Sequence, residues 1–250
     1  MIRGLYTSAS AMQTNTKRMN VTSNNLANAD TDGYKKEGTV QRSFNEMLIS
    51  RYDNNGKEEL GTLGTGVEVD QSYTDFSEGN IQHTNNKLDL AIKGSGFFAL
   101  QTSEGIRYSR NGNFYLNDQN QIVDSQGNFL LNQDNEPIQI VPGREISINN
   151  QGQIFLGELE GERINLVDFV NYEQLTKMGN NLYQAEEGTE EIEVNQSSIM
   201  QGYLEGSNVN IVEEMVSMIE VTRAYESNQK VIQTIDNSLD KAVNDVGRLA

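Results

Sequence analysis

His83 is the sole histidine among 250 residues, and the chain has no cysteine. Zinc and copper sites draw on His and Cys, and acyl-transfer triads need a nucleophile beside an oriented base. One His in Ile81-Gln-His83-Thr-Asn-Asn, with no nucleophile or carboxylate arranged around it, builds neither. It reads as a solvent-facing side chain in a polar turn. Asp30-Thr-Asp-Gly33 and Asp53-Asn-Asn-Gly56 open like calcium loops, but neither continues to the spaced oxygen ligands and closing Glu that the ion requires. Both read as turns. Gly94-Ser-Gly96 and Gly61-Thr-Leu-Gly-Thr-Gly66 bring glycines together as phosphate cradles do, yet no Lys-Ser/Thr follows and neither opens a helix. The acid pairs Glu58-Glu59, Glu186-Glu187 and Glu190-Glu191 lie in polar runs, where a solvated face explains them better than a catalytic dyad. The chain is expected to be no enzyme, with no catalytic residue, no cofactor and no metal.

The two ends carry a different kind of signal. Ile2, Leu5, Ala9, Met12, Thr16, Met19, Ser23 and Leu26 step by threes and fours, which keeps one seam on one side of a helix. Near the C-terminus Ile211, Met215, Met218, Thr222, Tyr225, Gln229, Ile232, Asp236, Leu239, Val243 and Val246 repeat the step, and Val212, Val216, Ile219, Val231, Ile235 and Leu249 widen the stripe. The second helix is expected to run roughly forty residues, well beyond an average globular helix. Asn210 is its expected N-cap, with Glu213 and Glu214 in a first turn that favours acids. Gly33 is the expected terminator of the first. Between the ends the period changes to alternation, as in Leu88, Leu90 and Ile92, and short apolar runs are separated by Gly/Asn turns. That spacing points to an antiparallel meander, barrel or sandwich. Residues 50–66 are polar and Gly-rich and read as an extended segment.

Totals narrow the function class. A hydrophobic fraction of 36 % with no Trp makes a lean core, and a net charge of −17 would be repelled by a phosphate backbone, so no nucleic-acid partner is expected. Residues 1–36 are nonetheless net positive, and residues 207–250 net negative. Opposite charge on the terminal helices steers their pairing more than it holds it. The opening residues lack the apolar run of a cleaved signal peptide, and no stretch reads as a membrane span.

Three places resemble the flagellar axial proteins of bacteria, the rod and hook family. Ser23-Asn-Asn-Leu-Ala-Asn-Ala-Asp-Thr-Asp-Gly-Tyr-Lys35 resembles the Asn-Asn-Leu-Ala-Asn signature ending in Thr-x-Gly-aromatic-Lys. Leu88-Asp-Leu-Ala-Ile-Lys-Gly-Ser-Gly-Phe-Phe98, followed by Tyr108-Ser-Arg-Asn-Gly-Asn-Phe114, is similar to the entry into that family's β domain. Gln201-Gly-Tyr-Leu-Glu-Gly-Ser-Asn-Val-Asn210 with Glu213-Glu-Met-Val-Ser-Met-Ile219 resembles the opening of its C-terminal helix. Arg223-Ala-Tyr-Glu226 and the length lean toward the distal rod branch, Leu204-Glu-Gly-Ser-Asn208 toward the proximal one, and a long insertion near residues 50–60 is short or missing. The chain is short for a hook protein.

The resemblance and the residues give one set of expectations. The fold is α+β: antiparallel, coiled-coil-like terminal helices plus a central antiparallel β domain. Residues 1–32 form an N-terminal axial helix, 33–66 an extended connector, 67–203 the β domain and 204–250 the C-terminal axial helix. The assembly interface comprises Leu5, Met12, Met19, Asn24, Asn25, Leu26, Asn28, Met215, Met218, Tyr225, Ile232, Leu239 and Val243. The resemblance implies a structural rod subunit of the basal body that self-assembles, transmits torque to the hook, and lies outside the cytoplasm after export without a cleaved signal. Its implied partners are copies of itself, adjacent rod and hook proteins and the export apparatus. The alternatives are a proximal rod or hook-type protein of the same family, or a non-flagellar secreted β-rich binding scaffold. A cell-wall glycan hydrolase is the enzymatic rival.

Overall fold

A computed structural model describes residues 2–44, 47–53, 56–186, 188–193 and 197–246. Its architecture is α+β, with long helices α1 (Ile2–Ala27) and α2 (Ile211–Val246) at the ends and strands between them. Chain contacts divide it into two compact units. One holds Met1–Ala27, Glu37–Asp75 and Asn210–Ala250, and the other holds Asn28–Lys36 and Phe76–Val209.

In the helical unit, α1 and α2 pack along each other. A side chain at Gly4 would meet Ile235, while Asn25 hydrogen-bonds Glu214, so the helices run antiparallel. At 1.5 Å per residue α1 spans about 39 Å and α2 about 54 Å, and the excess lies at the far end of α2. There Asp240–Asn244 are exposed throughout, Val243 at 70 %.

Residues 33–66, expected as an extended connector, contain three whole strands. These are β1 (Glu37–Ser43), β2 (Met47–Asp53) and β3 (Gly56–Leu63), with β4 (Val67–Thr74) following. β1 pairs β4 and β2 pairs β3, each antiparallel. β4 therefore joins the helices, not the β domain expected to begin at residue 67. The reason lies in α1. Thr7 and Thr14 donate through Oγ1 to the carbonyls of Thr65 and Val67 at 3.2 and 3.1 Å, and Ser10 Oγ accepts from Val67 N. Ser8, Thr14, Asn15 and Thr22 are buried. A helix face half made of hydroxyls suits contact with backbone groups, which must be hydrogen-bonded wherever water is excluded.

The second unit is a β body. Its strands are β5 (Ile81–His83), β6 (Leu90–Lys93), β7 (Phe97–Thr102), β8 (Gly105–Ser109), β9 (Tyr115–Leu116), β10 (Ile122–Val123), β11 (Phe129–Leu130), β12 (Ile146–Ile148), β13 (Gln153–Leu156), β14 (Leu159–Arg163), β15 (Leu166–Phe169), β16 (Leu175–Gly179), β17 (Leu182–Ala185), β18 (Glu191–Glu193), β19 (Ser198–Gln201) and β20 (Tyr203–Glu205). The main sheet runs β16-β17-β8-β7-β11-β10-β9, and β15 joins it through β7 and also pairs β18. A β12-β13-β14 meander and the pairs β6-β19 and β5-β20 complete the unit. Side chains alternate along a strand, so β7 divides two cores. Phe98 and Leu100 pack with Leu90, Phe114, Ile122 and Leu130, while Phe97 and Ala99 pack with Tyr108, Phe169 and Tyr183.

One five-residue turn recurs four times, opening at Asn117, Asp124, Asn132 and Asn149. In each, Oδ1 of the first residue accepts from the backbone N–H groups two and four residues on, at 2.8–3.0 Å. The fourth residue is left-handed: Asn120 (φ 59), Gly127 (φ 86), Asn135 (φ 61) and Gly152 (φ 83). Asx acceptors and Asn/Gly at positive φ are the two demands of this geometry. Asn132→Ala removes two such bonds at a buried site and is expected to cost about 1–3 kcal/mol, read as a lower midpoint in denaturant. Asn135→Gly, which relieves the left-handed strain, should hold or raise it.

Candidate functional site

The body buries a carboxylate between two cations. Lys35, Glu205 and Arg110 have side chains 0 %, 1 % and 2 % exposed. Lys35 Nζ lies 2.5 Å from Glu205 Oε1 and donates to the carbonyl of Ser77 at 2.7 Å. The other carboxylate oxygen faces Arg110 Nη1 at 3.3 Å, and the Gly79 N–H donates to Oε1 at 2.9 Å. Arg110 also donates to the Gly94 carbonyl and lies over the Phe97 ring, 5.3 Å from its centroid. Burial holds the Lys35 ammonium below its ordinary value, against the opposing pull of Glu205.

Lys35 reaches this site because residues 28–36 leave the helix and lie on the body. α1 ends at Ala27, before the expected boundary at residue 32 and well before the expected terminator Gly33. Gly33 (φ 68) instead makes a close approach: its N–H donates to the Glu205 carbonyl at 2.7 Å, and a Cβ there would collide with the Arg110–Asn111 backbone. Asn181 Nδ2 donates to the Asp32 carbonyl at 3.0 Å, and the Lys36 N–H donates to Asn208 Oδ1 at 2.7 Å. Tyr34, 3 % exposed, lies beneath the Lys177 ammonium, 4.2 Å from the ring centroid. The Asp32 carboxyl is pushed up by burial and then by Asp89. Its charge therefore costs stability at neutral pH, and the cost disappears once acid protonates it.

Asn25, expected at the assembly interface, is 1 % exposed and occupied inside its own chain. Its amide pairs with both backbone groups of Glu37, accepting from N at 2.9 Å and donating to O at 2.8 Å. It also donates to Glu214 Oε2 at 3.3 Å in the first turn of α2. Asn28 accepts from Thr31 through its backbone carbonyl and its side chain and is half-buried, while Asn24 is exposed. Asn210 caps α2 as its position predicts, Oδ1 accepting from Val212 N at 3.1 Å.

Leu5, Met12, Met19 and Leu26 on α1 and Met218, Tyr225, Ile232 and Leu239 on α2 are half-buried, but Met215 and Val243 are 51 % and 70 % exposed. The buried face of α2 runs through Glu214, Met218, Val221, Tyr225, Asn228, Ile232, Ile235 and Leu239, 25 residues in seven steps. Those steps alternate four and three like the expected seam: Met218, Tyr225, Ile232 and Leu239 belong to both, while the other column falls at Glu214, Val221, Asn228 and Ile235, one position before the expected Met215, Thr222, Gln229 and Asp236. The residues passed over are the informative ones. Ile211, Val212, Val216 and Ile219, together with Met215, are 42–69 % exposed and form an apolar stripe on the first turns of α2. The sequence signal was present in Val212, Val216 and Ile219, which lay beside the expected seam.

Groups that could have done chemistry do something else. Ser95 Oγ and the Tyr172 phenol both donate to Asp168, at 2.5 and 2.8 Å. Burial, then the bond to Asp168, pushes that phenol up to about 12, which keeps it a donor. His83 is exposed and lies against the Tyr203 ring. Among the described residues no cluster of His, Asp and Glu could hold a metal ion, and no helix is long and apolar enough to cross a membrane.

Residues 5–35 match the family described as flagella basal body rod protein, and residues 91–156 the flagellar hook protein FlgE/F/G D1 domain. Residues 200–245 match the flagellar basal body rod FlgEFG protein C-terminal family. The flagellar basal-body rod protein FlgG of Buchnera aphidicola subsp. Acyrthosiphon pisum is 37 % identical over 261 residues, covering 96 % of this chain and 98 % of that protein. The chain belongs to the flagellar basal-body rod protein family. Two further members cover all of both chains: the hook-basal body complex protein FlhO of Bacillus subtilis (strain 168), 33 % identical, and the rod protein FlgF of Caulobacter vibrioides, 31 % identical. The likeness to FlgG from several bacteria makes it a structural, distal-rod-like member of the family. The N-terminal match ends at Lys35 of the buried charge cluster, and the C-terminal match includes its partner Glu205.

Two substitutions test this geometry. Asn25→Ala removes both Glu37 hydrogen bonds and is expected to cost about 1–3 kcal/mol by denaturant titration of the helical signal. Asp32→Asn mimics the protonated acid, so it should raise the melting temperature at pH 7 and give no gain below about pH 4. A gain that persists in acid would contradict the assigned cause.

Proposed function

We propose that this protein is an axial subunit of the flagellar rod that polymerises through its terminal helices, transmits torque toward the hook and leaves an inner channel. The observation that carries this reading is the apolar stripe of Ile211, Val212, Met215, Val216 and Ile219, solvent-exposed on a helix whose opposite face is already packed. A monomer gains nothing from exposing five large apolar side chains in three turns, whereas each buries stabilising area in a polymer. The exposed overhang of α2 around Val243 gives a further contact. An open filament needs two different complementary faces per subunit. α1 supplies Arg3, Lys17 and Arg18 with no acid, and α2 supplies seven acids against three basic residues.

In the polymer the helices pair in coiled-coil-like fashion with those of neighbouring copies. Leu5, Met12, Met19, Asn24, Leu26, Met215, Met218 and Val243 contribute together with the stripe, and Tyr225, Ile232 and Leu239 support it from the packed face. Asn25 and Asn28 serve by fixing the exit from α1. Its further partners are adjacent rod and hook proteins and the export apparatus, which passes it unfolded and without a cleaved signal, so that it works outside the cytoplasm. Shared ancestry with FlgG favours the distal rod, and the full-length likeness to FlgF keeps the proximal rod as the second reading.

The stripe can be tested without touching the body. Val212→Asp with Val216→Asp changes exposed positions only, so circular dichroism should be unchanged. Sedimentation and electron microscopy should find the concentration needed for polymer raised by about tenfold or more, as expected for loss of roughly 1.4 kcal/mol or more per contact. Unaltered polymerisation of the double variant would remove the stripe from the interface.

A further inference from the structure

We propose that residues 28–36 are a detachable latch whose groove on the β body is preformed and keeps its charge balance when the segment leaves. The segment is foreign to the body in sequence. It is followed by residues 37–75 of the helical unit before the body resumes at Phe76. Its hold is mostly polar: Gly33 N–H on the Glu205 carbonyl, Lys36 N–H on Asn208, Asn181 on the Asp32 carbonyl, and the Lys35 ammonium on Glu205 and Ser77. Tyr34 is its one large apolar anchor.

The charge count decides how the segment leaves. Glu205 faces two cations, and only Lys35 belongs to the latch. With Lys35 gone, Glu205 still has Arg110 Nη1 and the Gly79 N–H, and Arg110 still has the Gly94 carbonyl and the Phe97 ring. No buried charge is stranded, and the departing ammonium regains hydration that burial denies it. Removing Glu205 is the opposite case, because it leaves two buried cations facing each other. The latch is therefore the part of the body able to open alone, in a local transition well below global unfolding. Opening frees the chain just beyond α1 from the strand leading into α2, since Gly33 and Lys36 are the residues bonded to Glu205 and Asn208. The inference rests on the body alone and does not depend on the rod reading.

Native-state hydrogen exchange on the full-length chain tests it, comparing the amides of Gly33 and Lys36 with those of Ala99 and Leu100 in β7. In the wild type the latch amides should exchange about 100-fold faster than β7 or more, through an opening that leaves β7 protected. Lys35→Met and Gly33→Ala, one removing the charge and the other blocking the close approach, should each speed latch exchange about tenfold or more while changing β7 less than about threefold. Glu205→Gln should speed both sets. Equal rates for latch and β7 in the wild type overturn the proposal, as does a Lys35→Met chain whose β7 loosens as much as its latch, or a Glu205→Gln chain no worse than Lys35→Met.

Discussion

Glu205 takes one negative charge into a place that water does not reach, and two cations from distant parts of the chain meet it there. Arg110 comes from the end of β8 and Lys35 from the signature segment after α1. A buried ion pair adds little net stability, because desolvation offsets most of its Coulombic gain, but removing one partner is costly. Its effect here is positional. Lys35 can be buried only where Glu205 is, so the chain leaving α1 is held beside the strand that leads to Asn210 and α2.

The packed and exposed faces of the helices have separate causes. α1 uses hydroxyls where its neighbour is strand backbone, as Thr7, Ser10 and Thr14 do, and apolar side chains where its neighbour is α2. α2 has one packed face as far as Leu239, an exposed overhang beyond it, and a second apolar face on its first turns. The first face is explained within the chain. The second is solvent-exposed, and the proposed self-assembly rests on it. The β body is quieter, with two cores separated by β7 and closed by four Asx turns of one design.

Much of this was legible in the residues. Terminal helices, a Gly/Asn-punctuated β region and the Asn210 cap all follow from period, turn chemistry and capping, which are local. The packed face of α2 was only partly legible. Met218, Tyr225, Ile232 and Leu239 fall on the expected seam, but the step of threes and fours could not say that the other buried column is Glu214, Val221, Asn228 and Ile235, because a Glu or an Asn is buried only where folding brings it a partner. Met215 was expected on the seam and at the assembly interface, with Val216 and Ile219 widening the stripe, and all three are exposed.

Sequence alone determined the kinds of element, their order and the family, since periodicity, turn residues and the Asn-Asn-Leu-Ala-Asn and Gly-Tyr-Lys runs depend on neighbours a few positions away. Tertiary structure decided which element each residue serves. Gly33, read as a helix stop, is the point where backbone meets backbone at Asn111. Asn25, read as an outward contact, is a buried amide mimicking a peptide group for Glu37. Lys35 and Glu205, 170 positions apart, become partners only when folding excludes water around both. No local pattern encodes that, because the energy of a buried charge depends on what surrounds it in space.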